Sequence, residues 1–104
     1  MNFIFDIVGK NLKTLSDIKI PFNTKILNCY MNNIDNLDNL PQSLTELYCG
    51  NNDISSLDNL PQLLKELHCY SNKIVQLDNL HQSLKYLLYD KKSVKITYKF
   101  ENQH

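Results

Sequence analysis

The chain has 104 residues, 42% of them hydrophobic and 21% charged, and its formal net charge is +0. That balance fits a single folded domain and is too apolar for a disordered chain. A neutral chain lacks the basic surface on which duplex binding rests and the general pull toward anionic membranes, and no stretch approaches the roughly 20 apolar residues of a membrane span.

The chain opens Met1-Asn2-Phe3-Ile4-Phe5-Asp6. No basic segment precedes the apolar run and Asp6 interrupts it, so the start does not read as a secretory signal. Residues 2–20 read instead as a degenerate copy of the units that follow. A shift of 22 carries Ile34, Leu37 and Leu40 onto Leu12, Leu15 and Ile18, and carries Leu27 and Cys29 onto Phe5 and Ile7. Lys10 then stands where the later units have asparagine. A terminal unit of this kind serves as a cap, so residues 1–22 are assigned to a first repeat that closes the N-terminal end.

Residues 23–90 repeat with a period of 20. Segment 37–50 reads LDNLPQSLTELYCG, segment 57–70 reads LDNLPQLLKELHCY and segment 77–90 reads LDNLHQSLKYLLYD. The shift of 20 links Leu27, Leu47, Leu67 and Leu87, links Cys29, Cys49 and Cys69, and links Asn32, Asn52 and Asn72. Within one unit the spacing Leu44-x-x-Leu47-x-Cys49-x-x-Asn52-x-Ile54 has the form L-x-x-L-x-L-x-x-N-x-L, with cysteine at the third apolar place. The pattern resembles the leucine-rich repeat family, and the short unit with Leu-Pro-Gln-Ser-Leu resembles its bacterial and giant-virus type. The resemblance covers residues 24–90 and implies an α/β-type solenoid that is β-rich in practice. One parallel sheet would line a concave face, and a mostly extended or 3₁₀ convex side would hold little α-helix. About five right-handed coils are expected, following the general rule for parallel crossovers.

The physics of the repeat agrees. Leu47 and Cys49 are two apart and face the same way on a strand. Leu44, Leu47, Cys49, Ile54, Leu57 and Leu60 then point inward from one coil, and no coil can bury them without neighbours. The Asn32, Asn52, Asn72 column is read as a structural ladder, because an amide side chain both donates and accepts and can pair backbone groups left inside a sharp turn. Pro41 and Pro61 favour extended backbone on the far side of the coil, and Asp38 and Asn39 suit turns there. In the last unit the pattern decays, with His81 for proline, Tyr89 for cysteine and Lys92 for asparagine. Residues 91–104 are read as a closing segment, because Val94, Ile96, Tyr98 and Phe100 alternate with Lys95, Thr97 and Lys99 as in a strand. The lysines at 91, 92, 95 and 99 would discourage edge pairing.

Three features invite a chemical reading. Cys29, Cys49 and Cys69 with His68 could be taken for a metal site, but zinc ligands come in close pairs, and these cysteines occupy leucine positions. Hence no metal and no cofactor is expected. Glu46 and Glu66 fall on adjacent strands, roughly 5 Å apart by strand spacing, as a catalytic carboxylate pair would. An open sheet face gives them no cleft, so a solvated surface is the preferred reading. The third feature is the outward columns themselves: Ile26, Glu46, Glu66, Tyr86; then Asn28, Tyr48, His68, Leu88; then Tyr30, Gly50, Tyr70, Asp90. Tyrosines here occupy positions that packing of the interior does not need, and aromatic residues are enriched in protein interfaces.

No phosphate-binding, zinc-protease or nucleophile-elbow motif is present, and His81 and His104 have no evident partner residues. The expectation is a non-enzymatic module that binds a protein through Glu46, Tyr48, Glu66, His68, Tyr70, Tyr86 and Leu88. It would be a monomer with neither nucleic acid nor membrane as partner. The resemblance implies two alternatives: a substrate-reading relative of bacterial effectors that lacks their ubiquitin-ligase domain, for which the chain has no room, or a structural piece that self-associates end to end. An odd cysteine count without a leader points to the cytoplasm, or to a host cytoplasm for an effector-like or viral chain.

Overall fold

The computed structural model describes residues 3–77 and 80–91. Five short strands form one sheet: β1 (Ile4–Asp6), β2 (Ile26–Asn28), β3 (Glu46–Tyr48), β4 (Glu66–His68) and β5 (Tyr86–Leu88). Their order in the sheet is their order in the chain, and every pair is parallel. The strands begin five coils, of which four close onto a following strand, giving a β-solenoid of about four turns. The register follows the repeat: Phe5 pairs with Leu27 across a shift of 22, and Leu27, Leu47, Leu67 and Leu87 pair in turn across shifts of 20.

The interior is the leucine, isoleucine and cysteine set. Leu44, Leu47, Cys49 and Ile54 have no exposed surface, and Leu57 and Leu60 are 8% exposed. Each fully buried leucine contributes on the order of 1.5–3 kcal/mol. At the N-terminal end the packing thins, with Phe5, Leu12 and Ile18 only partly buried against the core. Thiols at 29, 49 and 69 are free and buried. Burial pushes the Cys29 and Cys69 thiols up to about 12 and Cys49 well above its ordinary value, so all three pack as neutral hydrophobes.

The turn after each strand is closed by the asparagine column. Asn52 Nδ2 donates to the carbonyls of Cys29 in the preceding coil (3.0 Å) and of Cys49 and Gly50 in its own (both 3.2 Å), while its Oδ1 accepts from Ile34 N–H at 3.0 Å. Asn72 repeats this one coil later with Cys49, Cys69, Tyr70 and Ile54. Asn32 reaches back to Ile7 and accepts from both Lys10 and Leu12 N–H groups, so it serves the first coil, where lysine stands at the asparagine position. Leaving one of these buried groups unpaired would cost about 1–3 kcal/mol.

The arm opposite the sheet is extended backbone punctuated by turns. Helix is confined, among the described residues, to one 3₁₀ turn, Leu15–Asp17, whose N-cap Thr14 accepts from Ser16 N–H. Pro41 and Pro61 open turns in which their carbonyls accept from Leu44 and Leu64 N–H groups, both at 3.2 Å. His81 takes the proline place in the last unit and its carbonyl closes the same turn with Leu84. Contrary to the sequence expectation, His81 does have a partner, since its Nε2 lies 3.2 Å from the Leu60 carbonyl and donates to it. A hydroxyl column absent from the sequence reading adds to these arms. Ser43 Oγ lies 2.9 Å from the Phe22 carbonyl and 2.7 Å from that of Thr24, and Ser83 Oγ is placed likewise on Gln62 and Leu64. The strand expected over residues 94–100, and the lysines at 92, 95 and 99, lie outside the described residues.

Candidate protein-binding face

Alternation along a strand sends every second side chain away from the core. In β3 and β4 the central leucine is buried while Glu46, Tyr48, Glu66 and His68 on either side are half-buried on the outer face. Parallel register sets Glu46 beside Glu66 and Tyr48 beside His68, and continues both columns to Tyr86 and Leu88. Tyr86 is 50% and Leu88 40% exposed, the most open positions of the seven expected to meet a partner for which the structure gives such a value.

The two carboxylates do not simply face one another across solvent. The Tyr48 hydroxyl lies between them, donating to Glu46 Oε1 and lying 3.1 Å from Glu66 Oε2. His68 Nε2 sits 3.0 Å from that same Glu66 oxygen, and its Nδ1 lies 3.3 Å from the Tyr30 hydroxyl. The repulsion expected of adjacent glutamates is thus relieved by donors from the neighbouring column. Desolvation first, and then the two acceptor carboxylates, raise the Tyr48 phenol well above its ordinary range, which keeps it a donor. Desolvation and the adjacent Tyr70 push the Tyr30 phenol up to about 12.

The aromatic rings pack on one another. Tyr48 meets His68 edge-on with centroids 4.6 Å apart, His68 lies 5.6 Å from Tyr86, and Tyr30 lies 6.0 Å from Tyr48 and 5.9 Å from Tyr70. Gly50 makes the last arrangement possible. A Cβ there would fall 2.8 Å from Tyr70 Cζ and 2.9 Å from Tyr30 Cε1. The two tyrosines close over the missing side chain, and Gly50 is buried beneath them. By sequence these tyrosines occupy positions that packing of the interior does not need. They are packed, but against each other on the outside rather than into the core. The signal for it was the Tyr30, Gly50, Tyr70 column, a glycine between two large rings at one phase of the repeat.

The seven residues therefore form a continuous surface: Tyr48, Glu46, Glu66 and His68 joined by hydrogen bonds, Tyr70 joined through Tyr30, and Tyr86 and Leu88 extending it. Beside it a depression of about 340 Å³ is lined by Thr45, Glu46, Lys65, Glu66, Lys85 and Tyr86. A larger one of about 610 Å³ lies among the arms, lined by Gln42, Leu57, Asp58, Asn59, Leu60, Gln62 and His81. Among the described residues no three His, Cys, Asp or Glu side chains are grouped to hold a metal ion. Chemically, the face offers acceptor oxygens and ring surfaces.

A solenoid of parallel strands whose middle coils bury the same leucine, at Leu27, Leu47 and Leu67, defines a class of repeat protein. Residues 42–82 match the family model described as leucine-rich repeats, in two copies. Leucine-rich repeats generally mediate protein–protein interaction and typically do so as non-enzymatic modules. No curated protein matches the chain.

Proposed function

We propose that this chain is a non-enzymatic recognition module whose outer sheet face, the concave side of the solenoid, binds a protein partner through Glu46, Tyr48, Glu66, His68, Tyr70, Tyr86 and Leu88. The observation that carries the reading is the pre-arranged network of Tyr30, Tyr48, Glu46, Glu66 and His68 on that face. Side chains held by one another lose little conformational freedom on binding, and rigid aromatic anchors dominate interface energetics. Nothing in the packing of the interior calls for tyrosine or histidine at these positions, since the core is complete without them. The cytoplasm is the proposed setting, in keeping with three free thiols in the core.

The test is a Tyr48→Ala, His68→Ala, Tyr70→Ala triple variant assayed against a partner captured by pull-down, with circular dichroism confirming the fold. Binding is expected to weaken by roughly a hundredfold or more, as for loss of two or three hot-spot side chains. Unchanged binding moves the partner to another face.

A further inference from the structure

Gly50 stands between Tyr30 and Tyr70 in one outward column. Met31 N–H donates to its carbonyl and Asn51 N–H donates to that of Tyr70, both at 3.1 Å. The backbone does not demand glycine at this place, since the left-handed glycine of this chain is Gly9. Alanine could adopt the same conformation, but its methyl would first meet the far ends of two rings, Tyr70 Cζ at 2.8 Å and Tyr30 Cε1 at 2.9 Å. The chain cannot retreat from such a methyl, because the Gly50 carbonyl is also held by Asn52 Nδ2 at 3.2 Å and Cys49 N–H donates to the His68 carbonyl at 2.8 Å. The rings would have to yield instead, and both are only half-buried, so they can swing outward.

What moves with them is a histidine. The Glu66 carboxylate only accepts, so His68 Nε2, 3.0 Å from it, carries the ring hydrogen. In the neutral ring Nδ1 is then the acceptor, and the Tyr30 hydroxyl at 3.3 Å donates to it. We infer that Gly50 is a positioning residue of this face: by leaving room for Tyr30 and Tyr70 to close over it, it seats the Tyr30 hydroxyl on His68 Nδ1 and so fixes the ring that donates to Glu66. From Glu66 the arrangement carries on through the Tyr48 hydroxyl to Glu46. That this closure serves binding rests on the recognition role proposed for the face; the closure itself does not.

The test is Gly50→Ala in the uniformly ¹⁵N-labelled protein at about pH 8, above the usual histidine range. Long-range imidazole ¹H–¹⁵N spectra report on His68, nuclear Overhauser effects on the rings and circular dichroism on the fold. The native protein is expected to show Tyr30–Tyr70 ring contacts and a His68 ring with its hydrogen on Nε2. Gly50→Ala should keep the native dichroism spectrum, lose the ring contacts and shift the His68 Nδ1 resonance. Tyr30→Phe removes the hydroxyl but leaves the glycine; it should move that resonance in the same direction, and the double variant should move it no further. Absence of the ring contacts in the native protein, an Nδ1 resonance indifferent to either substitution, additive shifts, or loss of the fold in Gly50→Ala would each overturn the positioning role. A partner captured by pull-down should bind Gly50→Ala about tenfold more weakly, because the freed rings must be ordered again on binding. A partner lost in the triple alanine variant but bound equally by the native and Gly50→Ala proteins would keep the face and discard the part of the glycine in it. A partner indifferent to the triple variant discards the face itself, while the spectra still decide the positioning of His68.

Discussion

Met31 carries a long side chain at a point where the backbone turns left-handed. The same point in successive coils is Gly9, Met31, Asn51 and Ser71, with φ of 64°, 59°, 57° and 53°. Glycine adopts this region freely and asparagine tolerates it, whereas other residues are disfavoured there by roughly 1 kcal/mol. Met31 is 62% exposed, so its side chain recovers little by packing. Met31→Asn is therefore expected to raise stability by about 0.5–1 kcal/mol. Urea unfolding should show a higher midpoint at an unchanged slope, and a lower midpoint would mean that the methionine packs more than its exposure indicates. At this scale the sequence was informative where chemistry changes within a column: the asparagines stood out because a polar residue recurs in phase with buried leucines. It could not tell which carbonyls each amide would meet, because these come from two coils at once.

The arms between strands depend on small hydrogen-bonded columns as much as on leucine. Ser43 and Ser83 each place a hydroxyl between two carbonyls of the preceding coil, and the intervening unit has Leu63, 58% exposed, at that place. Ser43→Ala is expected to cost about 0.5–1.5 kcal/mol, the net worth of a typical internal hydrogen bond. At position 63, where the equivalent carbonyls belong to Gln42 and Leu44, serine should prove more stable than alanine in thermal unfolding. A tie between Leu63→Ser and Leu63→Ala would show that the carbonyls are satisfied by water instead. The sequence alone hides these columns, because serine in a turn has a ready local explanation that masks a contact with the coil before it.

Stability of the whole molecule is tied to the thiol column. The folded chain holds its Cys29 and Cys69 protons to about pH 12, against an ordinary thiol value of 9.0. Between these limits the unfolded chain has lost protons that the folded chain still binds, so the contribution is fully present below pH 9 and is lost as pH rises toward 12. Each such thiol accounts for about 1.4 kcal/mol per pH unit within that window, and Tyr30 shifts in the same direction. Denaturant midpoints should fall steadily from pH 9 upward, and at pH 8 a thiol reagent should label the three cysteines only after unfolding. Prompt labelling of the native chain would place the column in water and undo the packing scheme. Because each coil contacts only its neighbours, opening one coil exposes the interior of the next, and the loss should appear as one transition.

The sequence by itself determined the coil. A 20-residue period that keeps leucine, cysteine, asparagine and isoleucine in phase leaves one way to hide the apolar residues, and with it come the parallel register and the sorting of side chains into inward and outward columns. Even the shift of 22 at the first unit reappears in the β1–β2 pairing. What only the tertiary structure decided is how the outward columns interact. Whether Tyr48 leans toward Glu46 or Glu66, whether His68 bridges to Tyr30, and whether two tyrosines fold over Gly50 depend on side chains 18 to 40 residues apart meeting across strands. Burial of the core is set by apolar area, which composition and period encode. The outer face is set by the direction of a few hydrogen bonds and ring contacts, and these exist only once the strands lie side by side.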